Sequence, residues 1–289
     1  TPPPLTGADF IVVTPGTPAA ATHTAEFGYD VAGRLIWKKY PDGTNVGSDL
    51  DPWRYDGAGR LFAVPGVISA LSYNGRGQTL LAAYPNGTQT AFAYDAERFW
   101  LDSVTTTSGA NTLYSTAYIR DAAGRITQAS SDTSIESWTY TYDEMDWLLS
   151  ATNAGDPNLN PTFTYDSVGN LPTNSKGGSY AYPLAGSARP HAPTNIAGAA
   201  ISYDANGNMV SDGTRTLTYD GSNRPVAGNA VAYVYGPDRA RLKKISGSAT
   251  TLYLGADMEL SGGQWTKYPH ADAVLVGAST YHLHRDNLN

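Results

Sequence analysis

The sequence predicts an all-β protein, an array of antiparallel β-hairpins. Three observations carry this reading. The dipeptide Tyr-Asp recurs along the chain, usually with Gly three residues after the Asp and an apolar residue two further on. The composition holds 20 Tyr, 30 Gly and 18 Pro, residue types that favour pleated surfaces and turns. Runs before the Tyr alternate in polarity, as in Trp138-Thr139-Tyr140-Thr141-Tyr142, which argues for strands with one buried face.

Residues 1–25 are rich in Pro, Thr and Ala and read as a linker or surface strap, with Phe10-Ile11-Val12-Val13 as a strand inside it. The array occupies residues 26–289. Its clearest copies start at Tyr29-Asp30 with Gly33, Tyr55-Asp56 with Gly59, Tyr165-Asp166 with Gly169 and Tyr203-Asp204 with Gly207. Tyr94-Asp95, Tyr142-Asp143 and Tyr219-Asp220 keep the dipeptide without the Gly at that spacing. In each unit Asp opens a turn, because its carboxylate accepts backbone N–H bonds from the next residues. Gly supplies a positive φ and closes a type I turn with a bulge. Tyr packs across the strand pair and offers its hydroxyl to a polar partner or water. Each copy is one supersecondary unit that must stack on its neighbours.

A degenerate copy at Asp121-Ala122-Ala123-Gly124-Arg125-Ile126 keeps the turn and displaces the Tyr to Tyr118. Tyr40-Pro41-Asp42-Gly43-Thr44 and Tyr84-Pro85-Asn86-Gly87-Thr88 form a second motif, read as the opposite turn of the zigzag. Residues 172–198, rich in Pro, Gly and Ser, interrupt the pattern and read as a long irregular insertion, a surface loop or an inward plug.

A net charge of −7 disfavours nucleic acid or an anionic membrane as partner. There is no Cys, so no disulfide framework and no thiolate metal site. No apolar run is long enough to span a bilayer, and no signal peptide is visible. The chain opens on Thr1 and stops inside what reads as a motif, which suggests a piece of a longer protein.

Candidate sites are few. His282, His284 and Asp286 alternate, so a strand would put them on one face, where imidazoles and a carboxylate could hold a divalent metal. The plain alternative is a repeat strand, and no metal or other cofactor is expected. His23, His191 and His270 have no ligand spacing. Most carboxylates serve as turn formers, which leaves no pair for glycoside hydrolysis. Nucleophile-elbow, phosphate-loop and EF-hand patterns are missing. No catalytic residue is assigned, and no enzyme activity is expected. Trp37, Trp53, Trp100, Trp138, Trp147 and Trp265 are dispersed, as packing residues or as a sugar-binding surface.

The repeats resemble the Rhs/YD-repeat family of bacterial proteins, which includes the C component of Tc toxins and is related to the YD shell of teneurins. The match is densest after Ile201. There Tyr203-Asp204-Ala205-Asn206-Gly207-Asn208 is followed by Leu217-Thr218-Tyr219-Asp220, Tyr233-Val234-Tyr235, Arg241-Leu242-Lys243-Lys244 and Thr251-Leu252-Tyr253. Tyr281-His282-Leu283-His284-Arg285-Asp286-Asn287-Leu288-Asn289 resembles the family's Tyr-His-x-Asp-His-Leu-Gly-Ser segment, with Asn287 in place of His and Asn289 in place of Gly. The resemblance implies a spiralling β-strip that forms part of a hollow shell around a C-terminal toxin domain, in a secreted or cell-surface bacterial protein. The family's self-cleaving element would lie downstream of this chain. Neighbouring repeats and the enclosed toxin would be the partners. A strip of this length should keep an open edge that pairs with itself or with a second chain completing the shell. The alternative is an extracellular adhesion or carbohydrate-binding module.

Overall fold

The computed structural model describes residues 9–12 and 21–284. Alternating runs joined by tight turns pair each strand with its sequence neighbour, and every assigned ladder is antiparallel. Among the described residues there is no α-helix. Two single-turn 3-10 helices, Ser134–Glu136 and Pro157–Leu159, are the helical elements. The array read as continuous from residue 26 falls into two compact units, residues 1–115 with 249–289 and residues 116–248.

The first unit opens on a two-stranded ribbon. The backbone of Asp9–Val12 pairs with Ala21–Thr24, and Phe10 stands opposite His23. Val13 and the other residues up to 20 lie outside the described residues. Next come Glu26–Tyr29, Leu35–Lys39 and Asn45–Val46 as a three-stranded sheet. Arg54–Tyr55 then pairs with Leu61–Ala63, and Ala70–Tyr73, Thr79–Ala83, Thr88–Tyr94 and Leu101–Ser108 come next in ladder order. At the other end Ala249–Tyr253, Met258–Ser261, Gln264–His270, Ala273–Val276 and Ser279–His282 pair in succession. Side chains from both ends form one core. It includes Tyr40, Val46, Trp53, Val64, Ile68, Leu71 and Tyr84 from the early strands and Leu254, Met258, Ala273 and Leu275 from the late ones. Fully burying each large aliphatic side chain contributes about 1.5–3 kcal/mol.

The second unit carries Ile126–Ser131, Trp138–Tyr142 and Leu148–Asn153, then Phe163–Thr164 and its successors, then Leu217–Tyr219, Pro225–Gly228, Val231–Tyr235 and Arg241–Ser246. Its buried side chains are fewer: Thr116, Tyr118, Ala129, Ala151, Asn153, Asn170 and Ile201.

Residues 172–198 are more regular than their composition suggests. Thr173–Asn174, Gly178–Ala181 and Asn195–Ile196 enter a five-stranded sheet between Phe163–Thr164 and Ala199–Ala200. The glycines read as loop signals sit in hairpin turns. Gly177 N–H donates to the Asn174 carbonyl, and Ala197 and Gly198, at φ 49° and 90°, link Ile196 to Ala199. Two successive positive φ values suit a tight two-residue hairpin. Residues 182–194 alone run without strand.

Candidate functional site

The turn chemistry holds at atomic detail. In the first copy Ala32 N–H and Arg34 N–H both donate to Asp30 Oδ1 at 2.9 Å. Arg34 Nε donates to Oδ2 at 2.6 Å, and Gly33 has φ 76°. Asp56 with Arg60, Asp121 with Arg125 and Asp220 with Arg224 repeat the arrangement. Asn170 and Asn208 replace the Arg beside Asp166 and Asp204. Backbone bonds from Arg34 and Arg60 lead the interactions that hold the Asp30 and Asp56 carboxyls below their usual range, and side-chain bonds from Asn208 and Arg224 lead at Asp204 and Asp220. Where no Gly is available, Phe99, Asp146, Asn223 and Arg239 take the positive φ themselves. The Asp95 turn is one residue longer, since Phe99 N–H reaches the Asp95 carbonyl. In most Tyr-Asp hairpins the ladder register also shifts at the Tyr itself, as at Tyr29, Tyr55 and Tyr142.

The tyrosine hydroxyls have a common partner that sequence reasoning left open. Seven of them donate to a backbone carbonyl of the preceding hairpin, just past its turn. Tyr55 Oη reaches Leu35 O and Tyr73 Oη reaches Leu61 O, both at 2.7 Å. Tyr94 reaches Thr79, Tyr142 reaches Ile126, Tyr165 reaches Leu148, Tyr219 reaches Met209 and Tyr235 reaches Pro225. Tyr203 bonds Pro193 O instead, because residues 182–194 stand where a hairpin would precede it. The turn Arg of one repeat also lies over the Tyr ring of the next, at 4.6 Å for Arg34 on Tyr55 and for Arg60 on Tyr73. Cation–π contact and a neutral hydrogen bond each contribute about 1 kcal/mol, so consecutive hairpins are coupled through side chains as well as through the ladder. Tyr29, the first of the series, is half-exposed.

The second motif has a different task. Tyr40 and Tyr84 are buried at 1% and 4% exposure, and both turns face the late strands of the first unit. Lys38 Nζ lies 2.5 and 2.6 Å from the two Asp257 oxygens, and Tyr40 Oη donates to Asp257 Oδ2 at 3.2 Å. Lys267, with no exposed surface, binds Asp42 at 2.5 Å and Thr44 Oγ1 at 2.9 Å. Both ammonium groups also lie over the Tyr40 ring, at 4.6 and 5.8 Å. Burial is the first effect on Asp42, but the bonds from Lys267 and Thr44 outweigh it and its carboxyl lies below the usual range. Burial, reinforced by the Asp257 charge, pushes the Tyr40 phenol far up. Such a network costs several kcal/mol of desolvation per ion and holds only while every charge has its partner. It is an ionic clasp between the two ends of the first unit. The sequence carried a signal for it: Ile36, Lys38 and Tyr40 alternate onto one face, as do Trp265 and Lys267.

The histidines sit beside the other such turn. His282 and His284 do share a face, for both rings rest against Tyr84, at 4.9 and 5.1 Å. His284 Nδ1 is 2.9 Å from Thr90 Oγ1. Burial leads in lowering the pKa of both imidazoles. Asp286 lies outside the described residues, and among the described residues no group of three His, Cys, Asp or Glu is placed to hold a metal. Elsewhere His23 meets Trp265 edge-on, His191 bonds Asn170, and His270 Nδ1 accepts from Asp272 N–H.

The RHS Repeat profile matches residues 121–157, the degenerate copy and the one after it. No curated protein matches the chain. Among solved structures the chain is similar to the Photorhabdus luminescens Tc holotoxin pore with a TccC3 variant, at 18% identity and TM-score 0.60 over 93% of this chain and 16% of that one. It is similar to TcdB2-TccC3 at 18% identity and TM-score 0.61, over 93% of this chain and 17% of the other. TcdB2-TccC3 without its hypervariable C-terminal region matches at 18% identity and TM-score 0.61, over 93% and 16%. This chain therefore spans about a sixth of the chains it matches. With its Tyr-Asp hairpins and an RHS repeat at residues 121–157, the chain shares the fold of these Tc toxin structures.

Proposed function

We propose that this chain is a structural segment of a toxin-enclosing β-shell in a secreted bacterial protein, with no chemistry of its own. The observation that carries the reading is the side-chain coupling of each hairpin to the one before it, which suits a continuous wall better than an isolated pocket. The likeness to TcdB2-TccC3 supports it. That likeness is undiminished when the hypervariable C-terminal region is absent, so the similar part lies in the remainder of that protein. Among the described residues no helix is long and apolar enough to cross a membrane, which says nothing of a β-barrel. The partners on this reading are further repeats, a second chain that completes the wall, and an enclosed toxin domain.

Limited proteolysis of the full gene product tests the proposal. A segment downstream of these repeats should resist protease in the native protein and become sensitive once urea opens the wall. Equal sensitivity before and after opening would remove the enclosing role.

A further inference from the structure

A cavity of about 280 Å3 opens over the strands Ala70–Tyr73, Thr79–Ala83 and Thr88–Tyr94 of the first unit. The register explains it. Leu71, Ala82 and Thr90 stand side by side across the three strands. Tyr73 is opposite Thr79, and the alternation of the third strand puts Thr90, Phe92 and Tyr94 on one face. Small side chains in the middle, with rings around them, leave a hollow. Tyr73, Tyr84, Phe92 and Tyr94 give its lining four aromatic rings.

A second wall comes from the late strands. His270 and Asp272 line it from the turn between Gln264–His270 and Ala273–Val276, and Leu283 joins them just past Ser279–His282. This wall is held by its own bonds. Asp272 N–H donates to His270 Nδ1 at 3.1 Å, and Leu283 N–H donates to the Asp272 carbonyl at 2.8 Å. The rings are held as well. The Tyr73 and Tyr94 hydroxyls are tied to the Leu61 and Thr79 carbonyls, and the Tyr84 ring rests against His282 and His284. The cavity is thus formed before any ligand arrives, which lowers the entropy cost of binding.

The charge of the lining has one sign. Among the described residues that form it, Asp272 is the one carboxylate and none is Lys or Arg. The Asp272 side chain is largely buried, and its carboxylate lies 3.7 Å from His270 Nδ1. That nitrogen accepts the Asp272 N–H and so has no proton to give the carboxylate. Burial lowers the His284 pKa and the Asp272 charge opposes it, while His284 Nδ1 sits 2.9 Å from Thr90 Oγ1 on the lining. The repeat grammar also leaves Tyr94 uncovered. Arg34 lies over Tyr55 and Arg60 over Tyr73, but the turn before Tyr94 carries Gln78, whose amide donates to the Phe99 carbonyl. Among the described residues no cation lies over Tyr94 or Phe92. Aromatic faces attract cations most strongly where water is excluded, and a largely buried carboxylate adds to the pull. Methyl groups on an ammonium suit such rings, because they leave few N–H donors to satisfy. The volume is just below the range for drug-sized pockets, and so suits a small ligand. We propose that this cavity binds a small organic cation of the alkylammonium class, with Tyr73, Tyr84, Phe92 and Tyr94 as its aromatic walls and Asp272 as its counter-charge. The proposal stands on the cavity and is independent of the shell reading.

The test is a ligand-observed NMR titration of the 289-residue chain with tetramethylammonium and with choline, at about pH 8, above the ordinary imidazole range. Both cations should bind. The neutral isostere of choline, with carbon in place of nitrogen, should bind at least about tenfold more weakly. Phe92→Leu keeps the cavity apolar but removes one ring, and Asp272→Asn keeps the shape but removes the charge. Each should weaken cation binding several-fold and leave the isostere unaffected. Trp147→Phe, in the second unit, should change neither. Melting curves confirm that each variant is folded. If Phe92→Leu unfolds the first unit, Asp272→Asn decides. Equal binding of choline and its isostere would overturn the proposal. So would cation binding that Asp272→Asn leaves intact, since that is general attraction to an acidic chain. A lysine-bearing peptide that binds where choline does not would also overturn it and assign the cavity to a protein partner.

Discussion

The two units share one hairpin grammar and are held together differently. In residues 1–115 with 249–289, early and late strands bury a common core and lock it with Lys38, Asp257, Lys267 and Asp42. In residues 116–248 few side chains are buried, and the recurrent features are capped turns and tyrosine bonds between neighbouring hairpins. The contrast teaches that Tyr-Asp repeats are sufficient for local order. A deep core arises only where distant repeats are brought face to face. Stability in the first unit is long-range, and in the second it is a sum of nearest-neighbour terms.

Asp257→Ala attacks this contrast most strongly. It leaves the buried Lys38 ammonium and the Tyr40 hydroxyl without their acceptor, and should cost about 3–5 kcal/mol in the first unit. Hydrogen exchange should show that loss in the strands of the first unit while Trp138–Tyr142 keeps its protection. Equal loss in both units would erase the distinction. Replacing both charges, Lys38→Met with Asp257→Leu, should recover most of the stability, because no ion is then stranded.

Gly33→Val and Gly207→Val place a β-branched residue at φ 76° and 91°, one in each unit. Each should destabilise its own hairpin by about 1 kcal/mol or more, to a similar extent, because backbone strain is local. Urea titrations of the two variants check this. Tyr142→Phe removes the hydroxyl bond to Ile126 and should cost about 1 kcal/mol, confined to the second unit and detected as faster exchange in the neighbouring strands. No change in exchange there would deny the inter-repeat coupling.

Acid should separate the units by a smaller margin. His282 and His284, both in the first unit, have folded pKa values below the ordinary 6.5. Between the folded value and 6.5 the unfolded chain binds more protons, so their contribution is present above pH 6.5 and is lost as pH falls through the folded value. The turn carboxylates Asp166, Asp204 and Asp220 are also lowered, from 3.8, so the second unit holds its stability until pH drops below about 4. Melting temperatures of the parent and of a His282→Gln, His284→Gln variant between pH 7 and 5 measure the difference. A variant that still loses stability like the parent in that range would locate the effect elsewhere.

The hairpins were legible because their signals are local. Asp30, Gly33 and Arg34 stand within five residues and complete one turn among themselves. The Tyr partner was not legible, because the Leu35 carbonyl that Tyr55 finds is a backbone atom 20 positions away with no side-chain signature. The clasp was hidden for a stronger reason. Lys38 and Asp257 are 219 positions apart, and nothing in either neighbourhood says which distant strand it will face. Residues 172–198 were misread because Gly and Pro mark both loops and tight hairpins, and their strands are only two to four residues long.

The tyrosine bond reads the end of a turn and takes no measure of the strand lengths on either side. Its reach is 20 residues at Tyr55, 12 at Tyr73 and 10 at Tyr219. Strands can therefore lengthen or shorten, and a whole hairpin can be duplicated or deleted, while the next tyrosine still finds a carbonyl just past the preceding turn. A chain built on this rule tolerates editing by the repeat, so that its extent is set by how many hairpins a gene encodes and not by any fixed register.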